Sequence, residues 1–257
     1  MSGVGTLDWT RSTGGRLTVP DRARLLAQGI RFQLAVMWGP MRRALGLAER
    51  GLDGVDIEKL LQAPDSGAAR EAEKIAREIG DERLVAHSYR TWAWGTLLAR
   101  LDGRVCDDEV LFVGSLVHDV GLAGPRKLGD HNAPCFTLAG AAAAEELASE
   151  AGWEPSRAGR AAEAITLHMN LNVPPAQGLE AHYITAGAQL DVVGRRRFDL
   201  ARNVTDGVLQ RYPRRGTKQA FVELFLEQVR CAPGTRAHFY NARLGGLRGM
   251  RRAPFEE

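Results

Sequence analysis

An all-α fold is the architecture this 257-residue sequence predicts, and three observations predict it. Apolar residues recur at the 3.6-residue spacing of helices along most of the chain. Capping residues and terminating glycines punctuate those segments, and no run alternates apolar with polar residues as a half-buried strand would.

Pro20 and Asp21 open a first helix over residues 20–28, and a second covers 32–50 with Pro40 as a site for a kink. Residues 52–66 form a looser connection. Helical spacing resumes at 68–79 and stops at Gly80; Asp81 then caps a long amphipathic helix over 82–101, ended by Asp102 and Gly103. Asp107 caps the next helix, which runs to Gly121 and carries His118 and Asp119 in its last turn. After a loop, Thr137 opens an alanine-rich helix to residue 151, and Pro155 opens another to residue 169. A helix over 179–193 carries Asp191, and helices over 198–211 and 217–229 complete the pattern. The glycine-rich, basic tail from Arg243 is assigned no structure.

Composition bounds the class. Apolar residues make up 44% and charged residues 25%, enough to bury a core within one compact domain. The first twenty residues lack the basic start and apolar block of a signal peptide, and no apolar run is long enough to span a bilayer, so the expected location is the cytoplasm. Cys106, Cys135 and Cys231 are odd in number and widely spaced, which favours free thiols over disulfides or a zinc knuckle. The bias of arginine over lysine, with abundant Ala and Gly, is typical of GC-rich bacterial genomes. Residues 195–252 carry fourteen Arg or Lys against four Asp or Glu. That basic third would attract anions or nucleic acid, although no aromatic interleaving accompanies it and a solvated face is the simpler reading.

The chemical anomaly lies in LFVGSLVHDVGL, where His118 and Asp119 interrupt a run that otherwise reads as core. Burying a carboxylate costs several kcal/mol unless a partner compensates it, and a metal ion is such a partner. Asp191 repeats the anomaly on another helix, and His87 offers an imidazole on an apolar, aromatic-flanked face. Two imidazoles and two carboxylates suit Zn, Fe or Mn. Each residue alone is more often a hydrogen-bonded core group, a cap or an ion-pair partner, and residues this far apart cannot be shown to converge by spacing.

The order His87, then His118-Asp119, then Asp191, each on its own helix, resembles the H…HD…D signature of the HD superfamily over residues 82–194. HSYRTW at 87–92, VHDVGL, Phe136 with Gly140 and Ala141, AITLH at 164–168 and AGAQLDVV at 186–193 resemble more narrowly the cyanamide hydratase-like branch. The resemblance implies an HD-domain helical bundle with extra N- and C-terminal helices. Residues 1–80 would be a helical extension, 81–194 the metal-binding core, and 195–257 basic helices and a tail. It also implies that His87, His118, Asp119 and Asp191 bind one divalent ion, Zn first and Fe or Mn next. Many phosphodiesterases of the superfamily hold a second ion through a histidine four residues before a glycine; here that place, before Gly140, is Phe136, which favours a single ion. His168 matches the other such histidine and is left a role beside the ion or facing substrate, with a plain core histidine as the alternative. Thr137 stands where that branch has an acidic residue.

The chemistry implied is a hydrolase or hydratase in which metal-activated water attacks a small polar substrate such as a nitrile, cyanamide or amide. Asp119 or Asp191 would orient water or accept a proton, and His168 would shuttle one. Phe136, Thr137 and His168 would face substrate, and Arg90, one turn after His87, would hold a substrate anion or else form a surface salt bridge. His131 would line an access lid or sit exposed in its loop, and Trp92 and Trp94 would pack the core, one of them walling the site. Two other functions stay open: a phosphohydrolase acting on nucleotides or phosphate esters, and a non-catalytic module binding nucleic acid or protein through its arginines. A homo-oligomer is also compatible.

Overall fold

Short polar side chains set the first six helix starts. Thr6, Ser66, Asp81 and Asp107 each accept a hydrogen bond from a backbone N–H in the first turn that follows, and Thr18 and Asp21 form a reciprocal capping box. Such caps satisfy donors that the helix itself cannot, each contributing about 1 kcal/mol.

The computed structural model describes residues 3–47, 51–123 and 133–256, so His131 lies outside the described residues. The described chain is all helical, with an isolated bridge between Arg16 and Thr235 as its β-type pairing. In order the helices are α1 (Leu7–Thr13), α2 (Val19–Ala44), α3 (Ile57–Leu60), α4 (Gly67–Glu78), α5 (Glu82–Leu101), α6 (Asp108–Val117) and α7 (Val120–Ala123). They continue as α8 (Thr137–Glu150), α9 (Pro155–Leu167), α10 (Leu179–Val193), α11 (Arg202–Arg211), α12 (Thr217–Cys231), α13 (Arg236–Leu244) and α14 (Gly246–Arg251).

The central pair is α5 against α10, the most extensively packed in the molecule, flanked by α6 and α9 and then by α4 and α8. These two helices run antiparallel, and glycine lets their backbones touch: a Cβ on Gly187 would collide with the Thr91 carbonyl, and one on Gly95 would lie 2.9 Å from the Tyr183 carbonyl. Following that register one turn further along places His87 opposite Asp191. Around the seam one apolar core joins Leu7 and Ala72, then Leu97, Leu116 and Ile184, then Val204 and Phe255, so residues from all three sequence segments share it.

Several elements differ from expectation. The two helices expected at 20–28 and 32–50 are one continuous helix, α2, with Pro40 inside it. Gly29 is not a break; it admits Leu244 of α13, whose Cδ2 would lie 2.6 Å from a Cβ there. The helices α1, α3, α13 and α14 have no counterpart in the sequence reading, and α6 ends at Val117, before the His-Asp pair. Cys106, Cys135 and Cys231 are not joined by disulfides. No helix among the described residues is long and apolar enough to cross a membrane.

The helix α2 is unusual in burying only Asp21, Leu25 and Gly29. Leu26, Ile30, Leu34, Met37, Met41 and Leu45 fall at three- and four-residue intervals and are 47–67% exposed, which leaves an apolar stripe facing outward.

Candidate metal centre

Three helix ends and one helix face converge beneath α2. The α5 face carries His87, Arg90, Thr91 and Trp94 at helical spacing, all buried. His118 forms the C-cap of α6, and Asp119 follows it in the corner before α7. That corner presses on the start of α8 without intervening side chains: a Cβ at Gly140 would sit 2.5 Å from the Val117 carbonyl, and one at Gly121 would collide with the Phe136 carbonyl. His168 likewise forms the C-cap of α9.

Hydrogen bonds fix the tautomer of each imidazole. His87 Nδ1 is 2.8 Å from Asp191 Oδ2, His118 Nδ1 is 2.7 Å from the Ser115 carbonyl, and His168 Nδ1 is 2.6 Å from the Ile165 carbonyl. A carboxylate or carbonyl only accepts, so each Nδ1 carries a proton, and in the neutral ring that a metal would require each Nε2 carries a lone pair. All three lone pairs face Asp119. His87 Nε2 lies 3.2 Å from His118 Nε2 and 3.5 Å from Asp119 Oδ2, and His118 Nε2 lies 3.2 Å from the same oxygen. His168 Nε2 stands 3.4 Å from Asp119 Oδ1, an oxygen that is buried and makes no hydrogen bond among the described residues. The Thr91 hydroxyl lies 3.3 Å from His87 Nε2.

Lone pairs this close repel unless a cation lies among them. The donor atoms of a four-coordinate site with ligands at about 2.1 Å are separated by about 3.4 Å, so the spacings of His87, His118 and Asp119 fit one divalent ion. These three residues form a group that could hold a metal. The carbonyl and carboxylate partners behind each ring are the anchors that metal-binding histidines use.

Asp191 does not join the donor group. Its Oδ1 accepts from Arg90 Nε at 2.7 Å, Arg214 Nη1 at 2.9 Å and Trp94 Nε1 at 3.2 Å, while Oδ2 accepts from Arg90 Nη2 at 3.1 Å and His87. With five hydrogen bonds both oxygens are occupied, so the ligand role expected for Asp191 is replaced by that of an anchor for His87. Burial pushes the Asp191 carboxyl up, and the Arg90 and Arg214 guanidiniums more than reverse it, holding it well below the ordinary carboxylate range. Burial also raises Asp119, and His118, His168 and His87 around it together outweigh that, so this carboxyl too is held low. Burial lowers His168, whereas at His87 the opposing pull of Asp119 and Asp191 wins and its pKa is raised. Asp191→Asn is expected to weaken metal affinity about 10–100-fold without abolishing it, as loss of an anchoring partner does. Complete loss of metal, measured by titration, would instead make Asp191 a ligand.

Arg90 is corrected as well. Its five N–H groups go to Asp191 twice, to Thr217 Oγ1 and to the carbonyls of Tyr212 and Pro213, so none remains for a substrate, and the pair is buried rather than at the surface. Thr137 is also not at the site: it is fully buried, its hydroxyl paired 3.2 Å from the Cys135 thiol. Phe136 lines the cavity beside His168, its ring 5.7 Å from that imidazole in an edge contact. Trp94 serves Asp191, while Trp92 packs on Phe112 in the core.

A cavity of about 1000 Å³ opens above the donors, with His87, His118, Asp119, His168 and Phe136 among its lining residues. Its walls come from elements to which the sequence reading assigned no role: α2, the ring of Phe221 from α12 at 4.4 Å from His87, and the α13–α14 segment. Arg214 was missed because a loop arginine carries no local signal. Ser115 and Ile165 were legible in principle, since each lies three residues before a histidine at a helix end. No known family model matches the chain, and no curated protein matches it.

Proposed function

We propose that this chain is a metal-dependent hydrolase or hydratase. The observation that carries the reading is the meeting of His87 Nε2, His118 Nε2 and Asp119 Oδ2 within 3.5 Å of one another at the floor of a cavity. The H…HD…D order, similar to that of the HD superfamily, supports it. A divalent ion, Zn, Fe or Mn, would supply a Lewis acid able to make water nucleophilic near neutral pH.

The chain's own residues divide the remaining work. Asp191 holds His87 by its Nδ1, and Ser115 holds His118, so both Nε2 atoms stay aimed inward. Asp119 Oδ1 and His168 Nε2 are the two unprotonated, cavity-facing bases, 3.4 Å apart. Either accepts the proton that water loses on attacking an electrophile, and His168, its Nδ1–H braced on Ile165, can return it to the nitrogen of a nitrile or cyanamide, or to the departing amine of an amide. Asp119 and His168 are thus the catalytic groups and Asp191 a positioning residue. The electrophile is a nitrile, cyanamide or amide carbon. A second reading, phosphate-ester hydrolysis, is favoured by Arg243, Arg248 and Arg252, which line the same cavity.

Metal analysis of chain purified without chelator tests the proposal: one ion per chain is expected. Two would remove the single-ion assignment, and none would remove the proposal. A panel of nitriles, cyanamide and amides against nucleotides and simple phosphate esters separates the two chemistries.

A further inference from the structure

The cavity poses a problem of size and polarity for any substrate of a few atoms. Its volume of about 1000 Å³ is at the upper end of what encloses a drug-sized ligand. Above the donors its walls are apolar, including Leu122, Met169, Phe221, Leu244 and Met250, and Asp119 is the sole carboxylate among the described residues that line it.

The mouth has two unlike lips. On one side Leu26, Ile30, Leu34 and Met37 of α2 both line the cavity and are 48–67% exposed. On the other, Arg243, Arg248 and Arg252 line it and are exposed, with no ion-pair partner among the described residues. The donors at the opposite end are buried. A polar electrophile alone would leave the walls facing water, and an inorganic anion alone would use only the arginines. One molecule satisfies floor, wall and rim together only if it has a long apolar body and a negative end. A second copy paired through α2 about a two-fold axis would set this arginine-bordered face against itself and leave the chamber unfilled.

Resting on the metal-centred chemistry proposed above, we infer that the site takes an anionic amphiphile: its hydrocarbon body fills the chamber, its anionic group lies against Arg243, Arg248 and Arg252, and its reacting carbon reaches the floor. The α2 stripe is then the apolar ramp by which such a molecule enters.

Calorimetry with octanoate, decanoate, dodecanoate, dodecanol and dodecyltrimethylammonium tests this on the full chain, both metal-loaded and chelator-treated. Dodecanoate is expected to bind once per chain, with affinity rising about fourfold per methylene from octanoate upward. Dodecyltrimethylammonium should bind at least tenfold more weakly. The triple variant Arg243→Gln, Arg248→Gln, Arg252→Gln alters only exposed side chains; it should erase that charge preference while leaving dodecanol binding unchanged. Ala188→Phe, which adds a ring to the chamber wall, should weaken all the long-chain ligands.

Affinity independent of chain length, equal binding of the cationic amphiphile, or AMP binding tighter than dodecanoate would each overturn the inference. So would binding to anionic phosphatidylglycerol vesicles without binding of soluble dodecanoate, which marks a membrane-docking face, or a stable dimer that takes up no ligand. Metal content of the same samples separates the two proposals. Metal without amphiphile uptake removes only this inference; uptake without metal removes only the chemistry.

Discussion

Arg90→Met is expected to destabilise the fold by about 3–5 kcal/mol, the cost of leaving a buried charge without its partner. Arg90 and Asp191 are both fully buried, and the guanidinium fork supplies two of the five hydrogen bonds that the carboxylate accepts. Methionine fills comparable volume, so the loss reads the charge rather than a void. Lysine should rescue little, because one ammonium cannot replace five directed donors reaching a carboxylate, a hydroxyl and two carbonyls. Urea unfolding with an unchanged slope is the measurement. A midpoint corresponding to less than about 1 kcal/mol of loss would show that Arg214 alone suffices for Asp191. Because Asp191 holds His87, the same variant should also weaken metal binding in whatever fraction stays folded.

His118→Ala is expected to remove the bound ion and to lower turnover roughly a thousandfold or more, since it deletes a donor and not an anchor. His118 Nε2 is the atom nearest to both other donors, at 3.2 Å from His87 Nε2 and from Asp119 Oδ2. Metal analysis and rate should fall together. A variant that loses the ion but keeps its rate would detach the chemistry from the metal, and one that keeps both would show that His118 is a structural histidine. The contrast with Asp191→Asn, which should weaken binding without ending it, separates ligands from the groups that orient them.

How far the site was legible follows from what each residue's neighbours are. His118 and Asp119 were visible because a charged pair within LFVGSLV has no bland explanation, and His87 because its helix is otherwise apolar and aromatic. Asp191 was visible as an anomaly but misread in role. A buried carboxylate can be compensated by a metal or by guanidiniums, and the sequence does not say which; Arg90 and Arg214 lie 101 and 23 residues from it. The same gap hid the use of Arg90, whose partners sit on α10, α12 and the turn before α12.

The central helices were legible because caps and apolar period agree there. The ends were not. In α2 the apolar residues face outward, so its pattern does not report burial, and the gap expected between residues 28 and 32 is continuous helix in which Gly29 seats Leu244. The tail after Arg243 reads as polar and glycine-rich, yet its short helix is held by side chains reaching back, including Pro254 packed against Gly194 at the end of α10. Only tertiary contact makes such segments helical.

The chamber is assembled from two sets of parts that scarcely share residues. Its base belongs to α5, α6, α9 and α10, where backbones touch at Gly95 and Gly187 and leave no slack for replacement. Its sides come largely from α2, α13 and α14, of which α2 buries three residues and α14 none. Substitutions on those sides would alter what the chamber admits without displacing the donor residues beneath.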